Sequence, residues 1–211
     1  MNTIGIDEAG RGALAGPVVV AAVGIPKGFK YRSRGLPKLR DSKKLSSTQR
    51  EFWYQYLLSA KGVCFFACRV YQNQIDRNNI TRCANLAASR AVEKLVGNMG
   101  RSLKSLKILL DGGLYLGEAK HSGIKTSTLI RGDERIVAIK LASIVAKVTR
   151  DRYMRKLHLR HPQYNFLKNK GYGTKEHFGA LKKSGISEVH RLTYLTRYSN
   201  LKQKKSRDVC T

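Results

Sequence analysis

The chain has 211 residues, of which 42% are hydrophobic and 8% aromatic, so it is long and apolar enough for one globular domain and is not disordered as a whole. Its 41 Lys and Arg residues against 14 Asp and Glu give a formal net charge of +27, which favours nucleic acid as the partner. No run of about 18 apolar residues could span a bilayer, and residues 1–5 lack the pattern of a signal peptide. We therefore expect a cytoplasmic protein that does not bind membranes.

The cysteines and histidines are too scattered to indicate a zinc site. Residues Cys64, Cys68, Cys83 and Cys210 form no paired CxxC units, and the five histidines lie far from them in the sequence. We expect reduced thiols, with Cys64 and Cys68 as small core residues in an apolar run.

The N-terminal part of the chain predicts three strands and a helix. Apolar segments at residues 2–6 and 16–23, separated by a glycine-rich bend, are typical of two strands. Residues 27–44 predict a loop. A helix is expected to begin around Ser46, because a Gln three residues later can complete a capping box. Residues 63–71 are rich in β-branched and aromatic side chains and predict the third strand.

The rest of the chain alternates helices with strands. In chain order we expect a helix over 81–96, strands over 106–110 and 126–130, a long helix over 133–158 that ends before Pro162, and a short helix over 175–183. Interleaved strands and helices predict an α/β domain with a mixed sheet flanked by helices. We expect residues 1–185 to form the domain and the basic segment 186–211 to complete it, with a flexible tail.

Four of the 14 acidic residues fall at predicted ends of strands or at the start of a helix. Asp7 and Glu8 follow the first strand, Asp111 ends a later strand, and Asp133 opens the long helix. Hydrolysis of a phosphodiester can use two hard cations about 4 Å apart, and such cations need converging carboxylate oxygens. Taken singly, Asp133 is better explained as a helix cap and Asp111 as a turn residue. The residues alone leave a joint metal site and ordinary structural roles both open.

A set of ordered motifs resembles the ribonuclease HII family. Residues 5–12 read GIDEAGRG and continue through AGPV at 15–18, which is similar to the opening motif of that family. Six further blocks follow in the family's order, at residues 41–46, 110–112, 132–133, 142–152, 171–174 and 190–191. The resemblance covers residues 2 to 194, and seven ordered blocks are far more specific than any one of them.

The resemblance implies a fold, a reaction and a metal site. The fold would be RNase H-like, with a small C-terminal helical segment. The reaction would be hydrolysis of the RNA strand of RNA/DNA hybrids and nicking 5′ of ribonucleotides embedded in duplex DNA, giving 5′-phosphate and 3′-hydroxyl ends. Asp7, Glu8, Asp111 and Asp133 would hold two Mg²⁺ or Mn²⁺ ions, with Asp7 bridging both.

The resemblance also implies a reader of the ribonucleotide. The loop formed by Gly10, Arg11 and Gly12 resembles the family's contact to the 2′-hydroxyl and the adjacent phosphate. Glycines allow the backbone to approach a nucleotide closely, and the 2′-hydroxyl distinguishes RNA from DNA. Tyr172 resembles the tyrosine that packs on the sugar at an RNA-to-DNA junction, although a core or turn aromatic is the commoner role for an isolated tyrosine.

Further residues of the motifs are expected near the substrate backbone. The resemblance implies phosphate contacts for Lys43 and Lys44. From the residues alone, a role as solvated surface residues is an equally good interpretation of both. Ser143 and Lys147 lie one helical turn apart on one face, where they either pack near the site or bind the strand. Asp151 lies roughly 27 Å along a straight helix from the helix start, so we assign it a structural role.

The chain departs from the family pattern at three places. Gly113 replaces a usual Asn, Lys140-Leu141 replaces small residues, and Glu188-Val189 replaces a usual Pro, which can alter local packing and substrate preference.

A non-catalytic basic nucleic-acid-binding protein of the ribosomal type would explain the charge but not the carboxylates. A nuclease of the same fold that acts on DNA, or a ribonuclease HIII, is a second alternative. We expect a monomer. Whether the basic tail at 202–207 binds a sliding clamp is left open.

Overall fold

A mixed β-sheet forms the centre of the fold. The computed structural model describes residues 3–31, 35–98, 106–116 and 125–196. Within these residues the strands are β1 (Thr3–Ala9), β2 (Val18–Ile25), β3 (Cys64–Val70), β4 (Lys107–Asp111) and β5 (Lys125–Leu129). They lie in the order β3-β2-β1-β4-β5; β1, β2 and β3 pair antiparallel, whereas β4 and β5 run parallel to β1. The predicted α/β architecture with a mixed sheet is confirmed.

Helices surround the sheet in the described parts of the chain. They are α1 (Ser47–Ser59), α2 (Gln72–Asn78), α3 (Ile80–Gly97), α4 (Gly132–Arg135), α5 (Val137–Arg160), α6 (Phe166–Asn169), α7 (Lys175–Ser184) and α8 (Leu192–Leu195). The start of α1 is set by the predicted capping box, in which Ser46 and Gln49 each accept a backbone hydrogen bond from the other residue. None of the helices in these ranges is long and apolar enough to cross a membrane.

The two faces of the sheet are buried by different helices. Strand β2 shows this division, since its residues are buried throughout and alternate between the faces. Val18, Val20 and Ala22 pack into a core with the alanine-rich side of α3. The intervening Val19, Ala21 and Val23 pack into a second core with α1 and α5. Burial on both faces explains why β2 is continuously apolar rather than alternating with polar residues.

A third apolar cluster lies against the C-terminal half of α5. It joins Met154 and Leu157 of α5 with Leu14 and with Ile186 and Leu195 from the end of the described chain. The C-terminal segment therefore packs on the stretch that follows the glycine loop. The basic tail at 202–207 lies outside the described residues.

Helix α5 packs directly on the backbone of β1 at Gly5. A Cβ atom added there would lie 2.2 Å from the Ala138 carbonyl carbon, so no side chain fits without moving the helix. We expect Gly5→Ala to lower the free energy of unfolding by about 1–3 kcal/mol, measured by urea denaturation. Gly179→Ala, in α7 with no atom within 4 Å of its added Cβ, is the control and should stabilise the protein by up to about 1 kcal/mol. Equal stability of Gly5→Ala and the unmodified chain would contradict this packing.

Several predicted boundaries differ from the structure. The long helix predicted over 133–158 is two helices, because Ile136 is extended (φ −102°, ψ 120°) and separates α4 from α5. The carboxylates Asp7 and Glu8 lie inside β1 and not after it, since ladder pairing with β2 continues to Ala9. The predicted loop contains a 3₁₀ turn at Ser42–Lys44. The short helices α2, α6 and α8 were not predicted, because few apolar residues of each mark a helical period.

Candidate active site

Asp7 is buried on the face of β1 that α5 covers. It lies two residues after Gly5, and alternate residues of a strand share a face, so its side chain is directed towards α5. The residue is 5% exposed. The Ser143 hydroxyl on α5 acts to lower the pKa of the Asp7 carboxyl and lies 2.7 Å from the hydroxyl of Ser42. The backbone N–H of Glu8 donates to Asp7 Oδ1 at 2.7 Å, so one oxygen of the Asp7 carboxylate is held by the backbone of the next residue.

Glu8 lies on the other face of β1, towards α3. Its Oε1 is 3.3 Å from Nη1 of Arg11, and the Nη2 of Arg11 donates to the Thr81 hydroxyl of α3 at 2.9 Å. Its Oε2 is buried and has no hydrogen-bond partner among the described residues. A buried carboxylate oxygen without a donor is costly, and a cation would satisfy it.

Asp111 and Asp133 are joined by the start of α4. Asp111 ends β4, which pairs with β1 so that Leu110 lies beside Ile6; Asp111 therefore lies next to Asp7. Its Oδ1 accepts the backbone N–H groups of Gly132 at 2.6 Å and Asp133 at 3.3 Å. The start of α4 is thus anchored on the Asp111 carboxylate, because the N-terminus of a helix favours an anion. The same turn carries the Asp133 carboxylate.

The predicted carboxylates converge on one cavity. Asp7, Asp111 and Asp133 each offer one oxygen, and these oxygens lie within 4.8 Å of one another. The cavity holds about 240 Å³ and is lined by Asp7, Glu8, Ala9, Gly10, Arg11, Gly12, Ser42, Lys43, Asp111, Asp133, Ser143, Lys147 and Tyr172. Every predicted site residue except Lys44 lines it; Lys44 is exposed. Ser42 was missed, although it belongs to a motif quoted for the resemblance.

Burial raises the pKa of three of the carboxyl groups in this cavity, those of Asp7, Glu8 and Asp111. Burial raises the pKa of Asp7 well above its ordinary value, and the charges of Asp111 and Glu8 raise it further, whereas the Ser143 hydrogen bond opposes them. Burial also raises the pKa of Glu8, against the opposing charge of Arg11. The pKa of Asp111 is raised by burial and then by the charge of Asp133. A bound divalent cation would instead lower the pKa of each of these three carboxyl groups.

Two basic side chains contact the carboxylates in this structure. Lys43 Nζ lies 3.3 Å from Asp133 Oδ2, and the Lys43 side chain is 73% exposed. Burial acts to lower the pKa of Lys43, but the charge and hydrogen bond of Asp133 outweigh it and the pKa is raised. Arg11 makes the corresponding contact to Glu8. Because Lys43 is largely in solvent, it can leave Asp133 for a phosphate at low cost.

A buried arginine supports the glycine loop from below. Arg150 of α5 is 1% exposed and donates to the carbonyls of Pro17 at 3.0 Å and Ala15 at 3.1 Å. Its guanidinium carbon lies 5.1 Å from the centre of the Tyr172 ring. Gly10 has φ +88°, and an added Cβ would lie 2.0 Å from the Arg150 Nε. The requirement for glycine at this position therefore comes from Arg150 and from the backbone conformation together.

A second buried arginine holds the other side of the same loop. Arg191 is fully buried and donates to the carbonyls of Gly16 at 3.0 Å and Arg11 at 2.9 Å. Sequence reasoning missed both arginines as supports of the site, although each belongs to a motif that carried the resemblance. Nothing in the local sequence distinguishes a buried arginine from the many exposed ones of this basic chain.

A basic cavity adjoins the acidic one. It holds about 420 Å³, shares Ala9, Lys147 and Tyr172 with the acidic cavity, and is otherwise lined by residues that include Arg50 and Lys170. Burial lowers the pKa of Lys147, and the nearby charge of Arg50 lowers it further. Crowded cations of this kind are stabilised by a polyanion. Asp151, predicted to be structural, pairs with Arg50 at 3.4 Å and links α5 to α1.

Residues 4–200 match the family model described as Ribonuclease HII. The chain belongs to the ribonuclease HII family. A ribonuclease HII of Rickettsia prowazekii is 42% identical over 190 residues, which cover 90% of this chain and 89% of the relative. A ribonuclease HII of Fusobacterium nucleatum is 40% identical over 210 residues, covering 98% and 91%. The family consists of hydrolytic endoribonucleases, so the chain is an enzyme, and the ribosomal-type alternative is set aside.

A solved structure agrees with this assignment. The structure of the PCNA:RNase HII complex from Archaeoglobus fulgidus includes a chain that superposes with a TM-score of 0.71 at 25% identity, covering 97% of this chain and 98% of that one. The RNase H-like α/β fold implied by the motifs is thereby confirmed. The relatives at 40–42% identity are ribonucleases HII, which favours that family over ribonuclease HIII.

Proposed function

We propose that this ribonuclease HII cleaves the RNA strand of RNA/DNA hybrids and nicks duplex DNA on the 5′ side of embedded ribonucleotides, using two divalent metal ions. The products would carry 5′-phosphate and 3′-hydroxyl ends. The observation that carries the proposal is the convergence of carboxylate oxygens from Asp7, Asp111 and Asp133 within 4.8 Å of one another.

The residues of the acidic cavity fit Mg²⁺ or Mn²⁺. Among the described residues that line it, the side chains that could ligate a metal are carboxylates and there is neither His nor Cys, as hard cations prefer. Asp7, Asp111 and Asp133 would hold the ions. The unpartnered Oε2 of Glu8 supports Glu8 as a fourth ligand. When bound, such ions would activate water and stabilise charge on the phosphoryl and leaving oxygens.

The chain's own side chains would position the nucleic acid around this centre. Ser143 lines the cavity beside Asp7 and would help to orient its carboxylate. Lys43, in contact with Asp133 in this structure, would move to a substrate phosphate once a metal neutralises that carboxylate. Lys147, which lines both cavities, would hold a phosphate of the same strand.

Discrimination of RNA from DNA is assigned to the glycine loop and Tyr172. Gly12 is exposed and has no atom within 4 Å of an added Cβ, so a nucleotide can approach its backbone. Tyr172 is 36% exposed and lines both the acidic and the basic cavity. A ring at this boundary can pack against a sugar next to the cleaved bond, while the loop donates to the 2′-hydroxyl.

We expect magnesium-dependent nicking of a DNA duplex that contains one ribonucleotide, at a single position 5′ of that ribonucleotide. Product ends would be mapped on denaturing gels with end-labelled strands, in magnesium, in manganese and with chelator. An all-DNA duplex of the same sequence is the control and should stay intact. Equal cutting of the two duplexes, or cutting in chelator, would contradict the proposal.

A sliding clamp and a monomeric state stay predictions for this chain. The Archaeoglobus fulgidus relative was solved in a complex with PCNA, which supports a clamp as partner. The basic stretch at 202–207, to which the clamp prediction is attached, lies outside the described residues.

A further inference from the structure

Two buried histidines contact each other beside the Tyr172 turn. His177 on α7 is fully buried, His190 is 1% exposed, and their Nε2 atoms lie 3.2 Å apart. Aromatic rings enclose the pair: the ring centre of Phe166 is 5.5 Å from that of His177, and the ring centre of Tyr164 is 4.6 Å from that of His190. The proposed reaction assigns no role to either histidine.

The hydrogen bonds of the pair select one protonation state. His177 Nδ1 lies 3.0 Å from the carbonyl oxygen of Tyr172, which can only accept, so His177 carries its proton on Nδ1. Its Nε2 must then accept, and His190 Nε2 donates to it. His190 Nδ1 is left to accept from the backbone N–H of Ser187 at 3.2 Å. Every ring nitrogen has a partner in this arrangement.

The other arrangements are unfavourable. His190 Nδ1 also lies 3.2 Å from the Ser187 carbonyl, but a proton there would place two Nε2 lone pairs against each other at 3.2 Å. A second proton on either ring is opposed by burial, which lowers the pKa of His177. Burial lowers the pKa of His190 to about 3, and the charges of His177 and His161 act in the same direction. The pair is therefore neutral near pH 7.

The histidine contact joins the two elements assigned to substrate recognition. His177 binds the carbonyl of Tyr172. His190 forms a β-bridge with Ala15, in the segment that continues the glycine loop. The segment and the Tyr172 turn also meet directly, because the N–H of Leu14 donates to the Gly171 carbonyl at 2.8 Å. The pair thus fixes the turn that carries Tyr172 against the base of the glycine loop.

We propose that His177 and His190 are positioning residues that hold the Tyr172 ring at the place required to read a single ribonucleotide. The inference rests on the proposed function, in which Tyr172 packs on the sugar beside the cleaved bond. Without the pair, the ring would still be present but would occupy more than one position. A lost binding contact of this kind raises KM more than it lowers kcat.

Two substitutions of His177 distinguish the effect of its hydrogen bond to Tyr172 from the effect of its imidazole ring. In His177→Asn the side-chain amide nitrogen can replace Nδ1 and donate to Tyr172, whereas His177→Leu removes the donor. For a duplex with one ribonucleotide, we expect His177→Leu to raise KM about tenfold with kcat changed less than about threefold. His177→Asn, which keeps the donor to Tyr172 but loses the contact with His190, should raise KM less than His177→Leu does. His158→Leu, on α5 and outside both cavities, is the matched control and should leave KM unchanged.

A double-mutant cycle tests whether the pair acts through Tyr172. In a Tyr172→Ala background, His177→Leu should have no further effect on KM, because the ring that it positions is absent. Additive effects in the two backgrounds, or an unchanged KM in folded His177→Leu, would overturn the inference. Folding of each variant would be checked by circular dichroism.

The protonation state can be measured without any activity assay. ¹⁵N–¹H correlation spectra of the full chain at pH 7 should show His177 protonated on Nδ1 and His190 on Nε2. The opposite tautomer at either ring, or a doubly protonated pair, would overturn the inference, even if His177→Leu fails to fold. If the unmodified enzyme does not cut at a single ribonucleotide, the proposed function fails, and the role of the pair in discrimination fails with it; the spectra would still report whether the pair exists.

Discussion

Asp7→Asn is expected to lower the rate of cleavage at least about 10³-fold while the metal-free protein becomes more stable. The asparagine keeps an oxygen to accept the Glu8 N–H but loses the charge that a divalent cation would need. Burial raises the pKa of Asp7, so the stability that its protonated form provides is lost as the pH rises through that raised pKa. The neutral asparagine avoids this loss. Steady-state cleavage and thermal unfolding at pH 7 in chelator would measure the two effects.

A loss of activity together with a gain in stability is the result expected for a buried carboxylate whose role is to bind a cation. Asp76→Asn is the control, since Asp76 lies on α2, outside the acidic cavity, and accepts from the N–H groups of Leu192 and Thr193. It should keep activity within about twofold, because it lies outside the acidic cavity, although the single asparagine oxygen can accept from only one of the two N–H groups. A folded Asp7→Asn enzyme with full activity would remove Asp7 from the metal site.

Arg150→Met is expected to destabilise the fold by roughly 2–5 kcal/mol and to impair cutting at a single ribonucleotide. The substitution leaves the buried carbonyls of Ala15 and Pro17 without their donor. It also removes the guanidinium that lies over the Tyr172 ring. Urea denaturation would give the change in the free energy of unfolding, and cleavage would be assayed at a temperature where the variant is folded.

A second arginine on the same helix provides the comparison. Arg152 is partly exposed and pairs with Glu51 on the surface, so Arg152→Met should cost less than about 1 kcal/mol. If Arg150→Met were as stable as Arg152→Met, the hydrogen bonds of Arg150 to the loop would not stabilise the fold, and its assignment as the support of the glycine loop would be wrong.

Features that depend on a few consecutive residues could be predicted from the sequence. The capping box that starts α1 is formed as predicted from Ser46 and Gln49, and Asp111 ends its strand as predicted. The apolar run of β2 located that strand, because a strand buried on both faces must be apolar throughout. The four carboxylates and the glycine loop could be identified because they are parts of short ordered motifs.

Features that depend on contacts between distant residues were decided by the tertiary structure. The hydrogen bonds of Arg150 to Ala15 and Pro17 join residues more than 130 positions apart, and those of Arg191 to Gly16 and Arg11 join residues more than 170 apart. The break at Ile136 has no local signal either. It places Asp133 on a separate turn whose backbone binds Asp111.

The sequence by itself determined the class of fold, the acidic residues and the motifs of a ribonuclease HII, because local periodicity and short motifs do not need a partner elsewhere in the chain. The tertiary structure decided which groups support them: the buried Arg150 under Gly10, the contact between His177 and His190, and the pairing of Lys43 with Asp133. The physical reason is that burial and hydrogen bonding of a polar side chain depend on the elements packed around it, and a single position in a sequence does not specify them.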